Sequence, residues 1–323
     1  MVNWTRSGGG GYRAMAAAAV VCCAGLAGRA EAIVIRHDRF EQAHIDLASQ
    51  PQFQSVGTVS LDSSLYASAV LISPNFVLTA AHVAFDRSGQ QATDHPERYT
   101  FSFGGQVRTG TAFNIHPQYL HGFASLGYDI AVVQLSSPIN SVIPAVLYNG
   151  NAELNQQVTS VGYGLFGTGT TGITPTDLST AGTRRAGTNI IDFPLADPGI
   201  PNFGNWSSDI LLYDFDDPTD GIPNMMGSEI PTDMEDNIAY GDSGGGSFMM
   251  TPDGWRLVGI HSFFFRTQPT PLNPLDGYGY GSGLSRVGAY LNFISQFEPS
   301  LVPTPGAAGL MGLGMLAVAR RRR

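Results

Sequence analysis

The chain has 323 residues, of which 43% are hydrophobic and only 13% charged, with 40 glycines, 20 prolines, two cysteines and a formal net charge of −9. It contains no lysine, and the span between its two tails holds 10 arginines against 25 acids, a balance of about −15 that excludes nucleic acid as a partner because phosphate binding needs the opposite sign. That span, roughly 265 residues, is enough for one large all-β domain or two small barrels with a well-buried core.

In chain order, Arg6 and Arg13 precede an apolar run over 14–26 that ends in Ala30-Glu31-Ala32. This is the layout of an export signal over 1–32, too short to serve as a membrane span, and the mature chain is expected to begin at Ile33. Cys22 and Cys23 both fall inside it, so the exported protein, destined for the periplasm, cell surface or medium, holds no disulfide.

The core over 33–300 reads as short strands between turn residues, at 68–72, 76–78, 99–103, 130–135, 157–161 and 256–260, a pattern that predicts an antiparallel sandwich or barrel. The stretch 136–153 is the natural boundary between two halves, 167–172 is Gly/Thr-rich and predicts an exposed loop, and only 286–297 has helical spacing, with Val287, Tyr290, Leu291, Ile294 and Phe297 near one face. After the core, Val302-Pro303-Thr304-Pro305 leads into an apolar run over 306–319 and four terminal arginines. Such a tail suits a short, transient membrane anchor with its charge kept on the cytoplasmic side. It resembles the PEP-CTERM sorting tail of Gram-negative bacteria, with Thr304 where that family carries Glu.

Gly241-Asp242-Ser243-Gly244-Gly245 is the sharpest chemical signal. A serine hydroxyl needs a base to take its proton, the oxyanion it creates needs preorganised backbone donors, and flanking glycines let the backbone approach that closely. Leu78-Thr79-Ala80-Ala81-His82-Val83 supplies a histidine leaving an apolar strand, and Tyr128-Asp129-Ile130-Ala131-Val132 an acid at the head of another, able to hold one imidazole tautomer. The order His, Asp, Ser differs from the Ser, acid, His order of the α/β-hydrolases, which share the G-x-S-x-G string.

With these segments the core resembles the trypsin or chymotrypsin family of serine peptidases. The resemblance implies two antiparallel β-barrels, over about 33–140 and 150–286, and a closing helix over 287–297. It implies catalysis by His82, Asp129 and Ser243, and an oxyanion hole from the amides of Gly241 and Ser243. A buried pairing of Asp242 with the amine of Ile33 is implied as well, since Ile33-Val34 resembles the family's activated terminus. Gly246 stands where the family has Pro, and Ser68-Ala69 where it often has two glycines. The substrate is then a protein or peptide, and no cofactor is required.

For the pocket, the position six before the nucleophile, acidic in arginine- and lysine-cleaving members, is Asn237. His261 and Ser262 fall on the strand beside the substrate backbone. His261 resembles glutamate-specific members, where a protonated imidazole would bind a substrate carboxylate. The competing reading is a satisfied wall histidine in a pocket for small or apolar side chains, with Phe263 and Phe264 adding bulk. The acid-rich stretch 209–236 reads as a solvated insertion, with Asp214, Asp216 and Asp220 as candidate ligands for a structural calcium ion. His37, His44, His95, His116 and His121 read as structural or exposed. The rival from another class is a catalytically silent trypsin-like domain that binds protein or peptide at the cell surface.

Overall fold

The computed structural model describes residues 33–86, 88–176, 178–194, 207–219, 226–228, 230–266 and 274–301. The expected export signal, Asp220 and the tail from 302 onward lie outside the described residues. The chain opens with β1 (Val34–Ile35) and helix α1 (Glu41–Ala48). There follow β2 (Val56–Leu61), β3 (Ser64–Ser73), β4 (Phe76–Thr79), β5 (Tyr99–Phe103), β6 (Gln106–Ile115) and β7 (Ala131–Leu135), which close a barrel in the order β2-β3-β4-β7-β6-β5. Alternation drives this half: Tyr99, Phe101 and Phe103 of β5 point inward while Thr100 and Ser102 stay half-buried. Each fully buried side chain of this kind contributes about 1.5–3 kcal/mol. The barrel closes where β2 meets β5, and glycine is required there because a Cβ on Gly57 would lie 2.2 Å from the Ser102 carbonyl oxygen.

The second half contains β8 (Gln157–Gly162), β9 (Gly167–Thr168), β10 (Arg185–Ile190), β11 (Phe193–Pro194), β12 (Ile210–Asp214), β13 (Asp236–Asn237), β14 (Gly246–Thr251), β15 (Gly254–Arg266) and β16 (Tyr280–Arg286). Seven of these form one antiparallel sheet, β10-β8-β14-β15-β16-β12-β11. This sheet forms a half-barrel, which with the closed barrel before it is consistent with the two-barrel architecture that the sequence predicts. One edge, β10, is covered by α1, whose buried His44 bonds through Nδ1 to the Ala186 carbonyl at 2.7 Å. A small separate sheet, β13-β1-β9, seats the N-terminal strand between its neighbours. The stretch 167–172 is an exposed turn only at Thr170 and Thr171: Gly167 and Thr168 pair in parallel with Val34 and Ile35, and Gly167 is buried. Its composition signals turns, but its partner lies more than 130 positions upstream.

The segment 136–153 is irregular and tied to both halves, Ala145 N–H donating to the Leu71 carbonyl and Tyr148 N–H to that of Leu257. The closing helix is shorter than 287–297. A 3-10 turn at Val287–Tyr290 runs into one α-turn, α2 (Leu291–Ile294), as suits a segment with glycine at its second position. Val287, Tyr290, Phe293 and Ile294 nonetheless pack into the same apolar cluster as Val133 of the barrel and Ile260 of β15, so one core joins the halves.

Candidate active site

Strand β4 ends at Thr79, and the small, fully buried Ala80 and Ala81 let a 3-10 turn bring His82 to the surface of the core. Its imidazole keeps 25% of its area exposed while the Asp129 carboxylate has none. Asp129 follows Tyr128, whose left-handed backbone (φ 65°) is held by an N–H bond to the Tyr290 hydroxyl at 2.7 Å; the closing helix thus places the acid. Ser285 Oγ fixes the Asp129 carbonyl at 2.7 Å.

The carboxylate of Asp129 accepts the His82 backbone N–H at 2.9 Å on Oδ1, and faces His82 Nδ1 at 2.8 Å on Oδ2. Ser262 Oγ donates to the same Oδ2. Burial would raise the Asp129 pKa, but the charge of His82 and the three hydrogen bonds outweigh it and the net shift is downward. For His82, burial pulls the pKa down and the Asp129 charge and hydrogen bond more than offset it, so the net shift is upward. With Asp129 ionised, Nδ1 carries the proton and Nε2 the lone pair.

Ser243 is half-buried on a turn clamped from two sides. Its carbonyl accepts Ser68 N–H at 2.9 Å, and the next residue, Gly244, donates to the His261 carbonyl at 2.9 Å. Gly244 has φ +81° and sits so close to β4 that a Cβ would lie 2.0 Å from Thr79 Oγ1, three residues before His82. The nucleophile candidate is thus docked between the strand that delivers His82 and the strand whose Ser262 holds Asp129. Among the described residues Ser243 Oγ makes no hydrogen bond, and neither does the N–H of Gly241 (φ +89°) or of Ser243. Two amides separated by one residue in the same turn and a hydroxyl with unused capacity are what an oxyanion site asks for, and a nucleophile–base bond is often long before substrate is bound.

Asp242 points away from Ser243 into the protein. Its carboxylate, fully buried, accepts Gly164 N–H at 3.3 Å and Ala239 N–H at 3.0 Å, and burial pushes its pKa up to about 8. Ile33 is also fully buried. Val34 pairs with Asn237 and, in parallel, with Gly167, so Ile33 enters this sheet alongside the segments that carry Ala239 and Gly164.

The pocket residues differ from expectation. Asn237 is fully buried, its Nδ2 donating to Asp276 and its Oδ1 accepting the Ser282 hydroxyl. Ser262 turns its hydroxyl to Asp129 rather than to a substrate pocket; a serine beside a pocket histidine carries no sequence sign of this role. Of the two readings of His261, the structure fits the satisfied wall histidine and not the charged one: burial pushes its pKa down to about 3, and the neutral ring bonds through Nε2 to Ser247 Oγ at 3.1 Å. The acidic stretch is not simply solvated either, because Asp214, Asp216, Glu235 and Asp236 are buried. Backbone amides meet several of them: Met226 N–H donates to Asp214 at 2.9 Å and Asp216 N–H to Glu235 at 2.9 Å. Among the described residues no three His, Cys, Asp or Glu side chains are arranged to hold a metal ion.

A closed six-stranded barrel followed by a half-barrel is consistent with the double-barrel architecture of the trypsin type. Consistent with this, residues 45–189 match the trypsin family model, a span that includes His82 and Asp129 and ends before Ser243. The match supports a serine-protease-type function in the trypsin/chymotrypsin-like class. A search of curated proteins gives no match.

Proposed function

We propose that the chain is an exported serine endopeptidase that hydrolyses peptide bonds through an acyl-enzyme. His82 Nε2 takes the Ser243 proton as Oγ attacks the scissile carbonyl, and Asp129 holds the tautomer and stabilises the imidazolium. The amides of Gly241 and Ser243 receive the oxyanion; His82 then protonates the leaving amine, and water releases the acyl group by the same steps. The observation that carries this reading is the Asp129 carboxylate bonded at once to the His82 backbone and ring, beside the clamped Ser243 turn. Removing the signal after Ala32 would give Ile33 a free amine in the small sheet whose neighbouring segments carry Gly164 and Ala239, the partners of the buried Asp242 carboxylate, and an ion pair between that amine and Asp242 would order the turn bearing Gly241 and Ser243. The C-terminal tail would hold the precursor transiently at the membrane, and a calcium ion near Asp214 and Asp216 would add stability without entering the chemistry. A fluorophosphonate probe tests the central claim: the purified mature chain should label and digest peptides, and Ser243→Ala should do neither. A protein that binds peptides but does not label would instead be the silent domain.

A further inference from the structure

Resting on the serine-peptidase reading, we propose that Phe264 fills the primary specificity pocket, with Tyr240 at its mouth, and that the enzyme therefore cleaves after small residues such as Ala and Gly. A substrate carbonyl held by the Gly241 and Ser243 amides must project its side chain between the segment 237–240, which leads into the nucleophile turn, and β15, which is anchored to that turn through the His261 carbonyl. The contents of this gap follow from a β-bulge at Ser262, where the register shifts between His261 and Phe263. Beyond the bulge, Phe263 pairs with Gly283 and Phe265 with Gly281, and their rings lie over those glycines, 2.3 and 2.6 Å from where a Cβ would be. Both join an apolar cluster with Ile210 and Leu212.

Phe264 takes the opposite face, across from Ser282. Ser282 Oγ accepts Ile238 N–H at 3.0 Å and donates to Asn237, so this is the face turned toward 237–240. There Phe264 packs in one cluster with Ile238 and meets the Tyr240 ring edge-on at 5.0 Å. Phe264 is 3% exposed and Ile238 2%, while Asn237, Asp276 and Ser282 are wholly shut off from solvent. A long basic or acidic side chain would have to displace a buried aromatic ring to reach that polar floor, and the floor's own groups already bond to one another.

The test measures kcat/KM on matched peptides carrying Ala, Val, Phe, Arg or Glu before the scissile bond. In the native mature chain Ala should exceed Phe, Arg and Glu by about 10-fold or more, the discrimination expected of a well-packed apolar site. Phe264→Ala and the gentler Phe264→Val should raise the Phe-to-Ala ratio by about 10-fold or more. Because that ratio is taken within one protein, partial unfolding of a variant does not distort it. A native protein that labels with fluorophosphonate yet prefers Arg, Glu or Phe overturns the proposal and leaves the peptidase reading standing. Phe264 variants with an unchanged ratio do the same. Failure of the native protein to label removes the peptidase reading, and this proposal with it.

Discussion

Cutting the chain before Ile33 should change both its stability and the pH dependence of that stability, by an amount set at Asp242. The Asp242 carboxyl is fully buried and raised to about 8, against about 3.9 in an unfolded chain. A folded state that keeps a proton the unfolded state releases loses stability as pH rises from about 4 to about 8. At 1.36 kcal/mol per pKa unit, the accumulated penalty at pH 7 is on the order of 4 kcal/mol. A cationic amine at Ile33 would return much of it, less the cost of burying the amine itself. Spread over a domain of this size, at roughly 2–4 °C per kcal/mol, the chain beginning at Ile33 should melt on the order of 10 °C above one carrying several extra residues. Its stability should also be flatter between pH 5 and 8. Asp242→Asn separates this from a trivial effect of length. In the extended chain it removes a charge that burial penalises and should be neutral or stabilising; in the trimmed chain it strands the amine and should destabilise by roughly 3–5 kcal/mol. Thermal melts of the four proteins at pH 5, 6.5 and 8, with peptide turnover alongside, read both signs. An Asp242→Asn effect of the same sign and size in the trimmed and extended chains would refute the reasoning.

Ser243→Ala and His82→Ala should each lower turnover by on the order of 10⁴-fold or more with the fold retained, checked by peptide hydrolysis and circular dichroism. Ser262→Ala removes one donor from Asp129 Oδ2; kcat/KM should fall by roughly 10-fold, the worth of a hydrogen bond to a charged group, and the acid limb of its pH profile should move up as Asp129 draws more strongly on the His82 proton. The acidic stretch predicts a second pH effect. Burial, reinforced by neighbouring carboxylates, raises Asp192 to about 8, Asp216 to about 9 and Glu235 to about 7, so stability should fall as pH rises from 6.5 to 9. The buried His44 and His261, lowered to about 4 and about 3, oppose this only below about 6.5, where the unfolded chain takes up their protons. Urea melts at pH 6.5 and 9 should differ accordingly, with Asp216→Asn narrowing the gap; equal midpoints would sink this account.

The strands were legible because period-2 patterning is local. The run 130–135 and the alternation of Tyr99, Phe101 and Phe103 each announce a strand without reference to any other part of the chain. His82, Asp129 and Ser243 were legible as motifs for the same reason, since each carries its signal in the residues on either side. The supports of Asp129 were not. Ser262 and Ser285 reach it from separate strands, Tyr290 of the closing helix holds the N–H of the preceding Tyr128, and a hydroxyl in sequence does not say which way it will face. The bulge at Ser262 makes the point sharply. Adjacent strand residues alternate faces, and the extra residue at the bulge decides that Phe263 and Phe265 share one cluster while Phe264 enters the other.

The acids of the second half misled for a different reason. Density of charge in sequence suggests water, yet Glu235 and Asp236 sit beside Asn237 on or next to a strand whose neighbour is the N-terminal strand. Asp236 is fully buried, and burial followed by the charges of Asp242 and Glu235 drives its pKa well above the ordinary range. Carboxylates so placed must be held by protons, by backbone amides or by a cation, and no lysine exists anywhere in the chain to serve. An amine at Ile33 would enter the same small sheet within reach of their field. Trimming and acidification should therefore act on one element, each relieving the same negative charge behind the Ser243 turn. The stabilising effect of trimming should then shrink as pH is lowered toward 5, because protons already neutralise the groups that the amine would otherwise meet.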